Sequence, residues 1–312
     1  MQSTSVTRPP SLSEAAALMG LHFDQMVEPA DRFVSLNGLR FHYLDWGADA
    51  KPYLLLLHGA YQTAHSWDFF ALAMRGRYHV LALDQRGHGD TDWAPKGEYG
   101  GENSQKDLDA FVAALGIKKL AICGLSMGGR NSFTFTARHP ELVQALVIVD
   151  VGPEIRRRGV AAIRRFVTRQ DEMASFEAFV QRAHRFNPRR PLEQFRGSLQ
   201  HNLKELPNGK WTWKYDQRLR NAVRLDRSPQ EQKRATEEAW ALVKDIRCPT
   251  MIVRGGVSDI FSEHDAQKLY ASIPGSQLVV VPKAGHLVQG DNPVAFEDAV
   301  RPFLEAQAAR LR

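Results

Sequence analysis

The sequence has few cysteines and no long hydrophobic run. Only two cysteines, Cys123 and Cys248, occur among its 312 residues, and both lie beside apolar strand patterns, which is typical of reduced buried thiols and not of a disulfide framework. No apolar stretch approaches the length that crosses a bilayer. Residues 1–20 lack the continuous apolar segment and cleavage site of a secretory signal. We therefore expect a soluble, cytoplasmic protein with no membrane partner.

Metal-ligand spacings and repeats are also absent. The 11 histidines show no paired spacing of the kind that zinc sites use, so the sequence predicts no metal site. It contains no internal repeat and no low-complexity tract. Hydrophobic residues make up 43% of the chain, which is enough for a large core. The length suits a single α/β core with an insertion.

Short apolar segments with the pattern of strands recur along the chain. The first two, residues 33–39 and 40–44, surround Asn37-Gly38, and Asn-Gly is the strongest two-residue signal for a hairpin. Six more lie at residues 54–58, 79–83, 120–125, 145–150, 250–254 and 277–281. Helical stretches alternate with them, which predicts a mainly parallel sheet with helices on both faces. Ligands bind such a sheet at the carboxyl ends of its strands.

One motif carries most of the chemical information. Gly124-Leu125-Ser126-Met127-Gly128 ends one of these apolar segments and precedes a helix-like stretch. A serine at such a strand-to-helix turn is held in a strained conformation with its hydroxyl exposed, and the flanking glycines let neighbouring chains approach. The amide of Met127 then lies at a helix start, where it can donate to a developing oxyanion.

Three further motifs occur in the order that this chemistry needs. They are His58-Gly59, Asp84-Gln85-Arg86-Gly87-His88-Gly89 and, near the end, Gly285-His286. With the serine motif they make the chain resemble the α/β-hydrolase superfamily over residues 30–305, and in particular its capped serine esterase-like branch, which includes carboxylesterases and the (acetamidomethylene)succinate hydrolases. The resemblance implies an α/β-hydrolase fold, with a mostly parallel eight-stranded sheet flanked by helices and a helical cap inserted after the sixth strand.

The predicted domain organisation follows from this resemblance. The alternation of strands and helices breaks after the sixth strand, where helical patterns occupy residues 159–169, 173–186 and 191–205. We expect an N-terminal extension at residues 1–27, a core of residues 28–153 and 241–312, and a helical cap, or lid, at residues 154–240. The cap aromatics form either pocket wall or cap core; they are Phe166, Phe176, Phe179, Phe186, Trp211 and Trp213.

The predicted cap is basic. It holds 20 Lys and Arg against 11 Asp and Glu, a net charge of +9, whereas the whole chain has +6. Its arginines either attract an anionic substrate or lie on solvated helix faces. The arginines concerned are Arg156, Arg157, Arg158, Arg164, Arg165, Arg189 and Arg190. No nucleic-acid-binding module accompanies the charge, so we expect a small-molecule substrate and no nucleic-acid partner.

A serine nucleophile needs an imidazole to take its proton and return it to the leaving group. We assign Ser126 as the nucleophile and His286 as the base, because His286 follows a strand and a glycine at the position that the family uses. His58 and His88 are the competing histidines. We expect both to hydrogen-bond to backbone groups instead.

The third group is a carboxylate that orients the imidazole, and two aspartates compete for this role. Most family members place the acid three residues beyond the glycine that ends the seventh strand, which in this chain is Ser258, with Asp259 next to it. Asp150 closes the sixth strand, where some members carry the acid. We favour Asp150 because a strand end is better fixed than a loop, and Asp259 is the alternative.

The resemblance also implies an oxyanion hole made of two backbone amides, those of Ala60 and Met127. Tyr61 either adds a hydroxyl or forms pocket wall. We expect Asp84 and Arg86 to pair with one another and brace their turn.

Together these residues predict a cofactor-independent serine hydrolase that cleaves an ester or similar acyl bond through an acyl-enzyme. The same scaffold supports amide or C–C bond hydrolysis of a carboxylated metabolite, and cofactor-free oxygenase or perhydrolase chemistry. A non-catalytic ligand receptor is the alternative from another class. The intact nucleophile, base and candidate acid argue against it, since a binding protein has no need of them. The sequence leaves the oligomeric state open.

Overall fold

Strands and helices alternate along the chain, as predicted. The computed structural model describes residues 8–47, 50–221, 228–309 and 311. The strands are β1 (Ala30–Leu36), β2 (Leu39–Asp45), β3 (Tyr53–Leu57), β4 (His79–Leu83), β5 (Leu120–Leu125), β6 (Val143–Val149), β7 (Glu172–Met173), β8 (Leu203–Glu205), β9 (Trp211–Trp213), β10 (Thr250–Gly255) and β11 (Gln277–Val281).

The helices fill the segments between these strands. They are α1 (Leu12–Leu18), α2 (Asp68–Met74), α3 (Gly101–Ala114), α4 (Met127–Arg138), α5 (Arg157–Thr168), α6 (Phe176–Phe186), α7 (Leu192–Asn202), α8 (Pro229–Val243), α9 (Glu263–Ser272), α10 (Val288–Asp291) and α11 (Pro293–Ala308), with 3-10 helices at Ala64–Trp67 and Gln217–Asn221. None of the described helices combines the length and the apolarity needed to span a bilayer.

The main sheet has the strand order β1-β2-β4-β3-β5-β6-β10-β11. The pairs β1–β2 and β2–β4 are antiparallel, and the other pairs are parallel. Leu36 pairs with Leu39 across the first turn, where Asn37 and Gly38 have φ of 50° and 77°, as a type I′ hairpin requires. The predicted hairpin and the mostly parallel eight-stranded sheet are therefore confirmed.

The central strands are apolar along their whole length because helices cover both faces of the sheet. Side chains alternate between the faces, so Leu54 and Leu56 of β3 pack in one cluster with α2 and α11. Leu55 and Leu57 pack in a second cluster with α3, α4 and α9. Cys123 is buried within β5, and both cysteines are free thiols, as predicted.

The parallel strands all end at the same edge of the sheet. The residues that follow or lie just beyond these ends are His58 after β3, Asp84 after β4, Ser126 after β5, Asp150 after β6, Ser258 after β10 and His286 after β11. This shared edge brings residues together that lie up to 228 positions apart in the chain.

Residues 154–240, which we call the cap segment, contain more than the three predicted helices. The helix predicted at 191–205 ends at Asn202, and residues 203–205 instead form β8, which pairs with β9. β7 joins the other side of β9, giving a small antiparallel sheet. The turn between β8 and β9 contains Pro207 and Gly209, whose φ is 75°, and both residue types favour turns.

The cap segment has its own apolar cluster, in which Phe179, Val180 and Trp213 are buried. The N-terminal helix α1 packs against α7 of this segment. Gln200 of α7 also donates a hydrogen bond of 3.3 Å to the carbonyl of Pro10. Pro10 and α1 therefore lie against the cap segment.

Candidate active site

Ser126 lies at the turn between β5 and α4 with φ of 53° and ψ of −115°, a strained conformation for a residue with a side chain. The flanking glycines are required by close backbone contacts. A Cβ at Gly124 would lie 2.4 Å from the carbonyl oxygen of Gly128, and one at Gly128 would lie 2.2 Å from that of Leu57. The sharp turn predicted from the sequence is therefore present.

A chain of hydrogen bonds runs through three of the predicted residues. His286 Nε2 lies 2.9 Å from Ser126 Oγ, and His286 Nδ1 lies 2.8 Å from Asp150 Oδ2. The imidazole is nine-tenths buried. Each side of the ring thus has one partner, which is the arrangement that a histidine base needs when a carboxylate fixes its tautomer.

Asp150 is fully buried and is held from three directions. Its Oδ1 accepts a hydrogen bond of 2.8 Å from the amide of Gly255. Its Oδ2 accepts one of 2.5 Å from the hydroxyl of Ser258, in addition to the bond from His286. These donors offset the cost of burying a carboxylate, and they fix its oxygens relative to the imidazole.

The alternative acid, Asp259, is exposed, and the described residues offer its carboxylate no hydrogen bond. It lines the same cavity as Ser126, but the imidazole of His286 already faces Asp150. Ser258, three residues beyond Gly255, donates to Asp150. The sequence could not reveal this contact, because it joins two loops that are 108 residues apart.

The two predicted oxyanion donors follow β3 and β5. Met127 is the first residue of α4, where an amide has no acceptor within the helix. Ala60 follows the His58-Gly59 turn, and neither amide has a hydrogen-bond acceptor within the described ranges. Both therefore remain available to a bound oxyanion.

His58 is completely buried and fixes the peptide group that carries the Ala60 amide. The amide of Gln85 donates to its Nε2 at 3.0 Å, so Nδ1 carries the proton and donates to the carbonyl of Gly59 at 2.8 Å. The carbonyl and the amide of a trans peptide point in opposite directions, so this bond sets the direction of the Ala60 N–H. Burial lowers the pKa of His58, which keeps the ring neutral.

Replacing His58 with leucine is expected to lower kcat by about 10–100-fold with little change in KM, because an error of about 1 Å in a catalytic group costs up to 10²-fold. Steady-state kinetics on one ester would measure this. His88→Leu is the matched control, since His88 is equally buried and does not contact Gly59. Equal kcat losses in the two variants, or none in His58→Leu, would rule out the positioning role.

His88 belongs to the turn after β4. Its Nδ1 donates to the carbonyl of Arg86 at 3.0 Å, and burial together with the nearby His58 ring lowers its pKa to about 3. The structure therefore places both competing histidines in backbone-supporting positions. Neither of them contacts Ser126 in the described structure.

The predicted pairing of Asp84 with Arg86 is wrong. Asp84 accepts hydrogen bonds of 2.7 Å from the amide of Ala64 and 2.7 Å from His42. Arg86 instead forms a buried fork with Asp107 of α3. The reason is spatial, because the Asp84 carboxylate fills the inside of its own turn, where a Cβ at Gly89 would lie 2.0 Å from it.

A cavity of about 680 Å³ separates the strand ends from the cap segment. Ser126 and His286 lie in its wall, as do Tyr61 and residues of α5, α6 and α7. Of the six cap aromatics, Phe166, Phe186 and Trp213 line this cavity. Phe179 packs against Trp213 inside the cap cluster with ring centroids 4.9 Å apart.

The basic residues of the cap segment are mostly remote from the cavity. Of the seven arginines named above, only Arg189 and Arg190 line it, and Arg156, Arg157, Arg158 and Arg165 are exposed. Arg190 pairs with the fully buried Asp291 at 2.7 Å. Four of these seven arginines are thus exposed to solvent and do not line the cavity.

Asp291 also connects the cap segment to the loop that carries His286. Its Oδ1 accepts hydrogen bonds from Arg190 at 2.7 Å and from Asn187 at 2.9 Å. Its Oδ2 accepts one of 2.8 Å from the amide of Gly285, the residue before His286. No sequence motif indicated this residue, because its partners come from a distant segment.

A group of possible metal ligands also lines the cavity, which the spacing of histidines did not predict. It consists of His65 in the first 3-10 helix, Asp68 at the start of α2 and His201 in α7. Burial disfavours the charged form of His65, but Asp68 outweighs this effect and raises its pKa. Burial and the neighbouring His65 lower the pKa of His201 to about 3.

The fold and this arrangement of serine, histidine and acid define the class of protein. A family model described as alpha/beta hydrolase fold matches residues 52–293. The chain therefore belongs to the α/β-hydrolase family, which confirms the predicted fold class and the prediction that this protein is a hydrolase.

Known relatives cover most of the chain. Esterase Rv0045c of Mycobacterium tuberculosis is 30% identical over 274 residues, which are 85% of this chain and 86% of the relative. A crystal structure of that esterase covers 94% of this chain and 96% of its own, with a TM-score of 0.73 and 30% identity. The 2-(acetamidomethylene)succinate hydrolase of Mesorhizobium japonicum is 26% identical over 259 residues, 82% of this chain and 88% of the relative.

Proposed function

We propose that this protein is a cofactor-independent serine hydrolase that cleaves carboxylic esters of small molecules. The observation that carries the proposal is the hydrogen-bonded chain from Ser126 through His286 to Asp150, at 2.9 and 2.8 Å. Ser126 and His286 line a cavity large enough for a small-molecule substrate. The esterase among the relatives supports the choice of an ester as substrate.

In the first half of the reaction, Ser126 Oγ attacks the ester carbonyl carbon while His286 Nε2 takes the hydroxyl proton. The carbonyl oxygen becomes an oxyanion and accepts hydrogen bonds from the amides of Ala60 and Met127. The intermediate then collapses, the C–O bond to the alcohol breaks, and His286 returns its proton to the leaving oxygen. An acyl group remains on Ser126.

In the second half, water replaces the alcohol. His286 takes a proton from this water as it attacks the acyl carbon, and then returns the proton to Ser126 Oγ as the carboxylic acid leaves. Asp150 stays ionised throughout, holds the Nδ1 proton of the imidazole and stabilises its charged form. The bonds from Gly255 and Ser258 keep the carboxylate in position for both steps.

The cavity wall favours an uncharged acyl group. Its side near the cap segment contains Ile163, Phe166, Phe186 and Trp213. A substrate carboxylate placed there would lose its hydration without a dedicated buried partner, which is costly. The exposure of Arg156, Arg157, Arg158 and Arg165 outside the cavity agrees with this substrate class.

A second candidate is amide hydrolysis of a carboxylated small molecule. Arg189 favours it, since this side chain lines the cavity, is 45% exposed and lies 3.7 Å from Asp291, farther than a hydrogen bond. The name of the (acetamidomethylene)succinate hydrolase also supports it.

A panel of p-nitrophenyl esters distinguishes the two candidates. We expect kcat/KM for neutral esters of four to eight carbons to be at least about tenfold above that for the half-acid ester of succinate. A tenfold difference corresponds to about 1.4 kcal/mol, which is only part of the free-energy cost of removing a carboxylate from water. A higher kcat/KM for the half-acid ester or for an N-acyl amide than for the neutral esters, with a rate that falls as salt is added, would favour the second candidate.

A further inference from the structure

A group of three side chains lies outside the hydrogen-bonded chain of Ser126, His286 and Asp150. We call this group the histidine cluster, and it consists of His65, Asp68 and His201. One ligand atom from each of the three side chains lies within 4.8 Å of the other two. His65 and Asp68 are 19% and 14% exposed, and all three residues line the cavity. The cluster is therefore enclosed and yet reachable from the substrate side.

The polar atoms of this cluster are incompletely paired. Asp68 Oδ2 lies 3.0 Å from His65 Nδ1, but Asp68 Oδ1 is buried and has no hydrogen-bond partner in the described part of the protein. Neither ring nitrogen of His201 has a hydrogen-bond partner within the same ranges. A buried oxygen and an imidazole without partners are costly unless a ligand satisfies them.

Two imidazoles and one carboxylate are a common ligand set for zinc, with a fourth position left for water. Zinc is usually tetrahedral, and bonds of about 2.0–2.2 Å then place two of its ligand atoms about 3.4 Å apart. The ligand atoms of the cluster lie within 4.8 Å of one another, so side chains must move closer by as much as about 1.4 Å to share one ion. The rings of His65 and His201 are stacked with centroids 3.6 Å apart. At least one ring must therefore rotate to direct a nitrogen at the ion.

The second group of possible ligands does not offer such a site. His42 already uses both ring nitrogens, at 2.7 Å from Asp84 and 2.9 Å from Asp31. Asp84 also holds the turn after β4 through the amides of Ala64 and Asp90. These groups are satisfied by the protein itself.

We propose that the histidine cluster binds one divalent transition-metal ion such as Zn²⁺, and that the bound ion inhibits the enzyme. His65 and Asp68 belong to the core, whereas His201 belongs to α7 of the cap segment, so the ion joins the two across the cavity. It also occupies space that a substrate would use. The inhibition rests on the proposed hydrolase activity, whereas the binding does not.

Calorimetric titration of the chelator-treated, dialysed protein with ZnCl₂ tests the binding. We expect one ion per chain, and an affinity more than tenfold lower in His201→Gln and in Asp68→Asn, since loss of even an outer partner of a metal ligand costs about 10–100-fold. His264→Gln is the matched control, because His264 is exposed on α9. The two test variants alter different elements, so a folding defect in one does not remove the test.

Two further measurements separate this site from the catalytic one. Ser126→Ala should bind Zn²⁺ with unchanged affinity. Ester turnover by the unmodified protein should fall when Zn²⁺ is added and recover when EDTA is added. In His201→Gln, the same inhibition should require a Zn²⁺ concentration more than tenfold higher. Unchanged affinity in both cluster variants, or binding that is lost in His286→Gln and retained in His201→Gln, would overturn the proposal. Binding without inhibition would overturn its second part only.

Discussion

Replacing Ser126 with alanine is expected to lower kcat for a p-nitrophenyl ester by about 10⁴–10⁶-fold, the range seen when a serine nucleophile is removed from a triad. The remaining rate would come from the oxyanion amides and from substrate binding, which need no hydroxyl. Serine and alanine tolerate the strained turn at φ 53° about equally, so the melting temperature should not change. Steady-state kinetics and thermal unfolding measure the two quantities.

A fluorophosphonate probe provides the matching chemical test. It should label the unmodified protein once, and it should not label Ser126→Ala. Ser198→Ala is a suitable control, because Ser198 lines the same cavity and, among the described residues, its hydroxyl hydrogen-bonds only to the carbonyl of Phe195, at 3.3 Å. Retained turnover in Ser126→Ala would exclude the acyl-enzyme mechanism. Unlabelled, inactive wild-type protein would instead favour a ligand receptor.

Replacing Asp150 with asparagine is expected to lower kcat by about 10⁴-fold, because an amide presents a donor where the imidazole needs an acceptor and cannot stabilise its charged form. The variant also removes the acceptor of the Ser258 hydroxyl, which shares Oδ2 with His286, and leaves the amide of Gly255 with a weaker acceptor. Some loss of stability should accompany the loss of rate. Kinetics and thermal unfolding of the same preparation would separate these effects.

Asp259→Asn is the matched control for this variant. Its side chain is exposed and lies outside the described hydrogen bonds, so we expect less than a threefold change in kcat. The reverse order of effects would mean that His286 turns from Asp150 to Asp259 when substrate binds. Equal losses in both variants would mean that neither carboxylate alone orients the imidazole.

The fold was predictable because its signals are local. Asn37-Gly38 indicates a hairpin within two residues, and the short apolar run at residues 54–57 is typical of a strand covered on both faces. The sharp turn at Ser126 was predictable for the same reason, because close backbone contacts at this turn leave room only for glycine at the flanking positions. The order of the motifs then indicated which strand ends had to meet.

What the sequence did not indicate depends on partners distant in the chain. Arg86 was expected to pair with Asp84, its near neighbour, but α3 brings Asp107 closer. His201 lies beside His65 only because α7 packs over the core, and the spacing of histidines along the sequence does not indicate this packing. The short cap strands were missed because the helical pattern at 191–205 ends three residues early, where β8 begins.

The contact between Ser258 and Asp150 has a consequence for how such an enzyme can change. The two side chains follow the ends of the neighbouring strands β6 and β10, and their oxygens are 2.5 Å apart, so a carboxylate at either position would reach nearly the same point beside His286. Exchanging the acid and the hydroxyl between these positions would preserve the atoms that the imidazole contacts. The acid could therefore be placed at the same point beside the imidazole from the end of either strand. An evolutionary intermediate with both carboxylates would carry two like charges in one buried site. A lineage that moved the acid would have to pass through a chain lacking one of the carboxylates or through one in which the pair shares a proton.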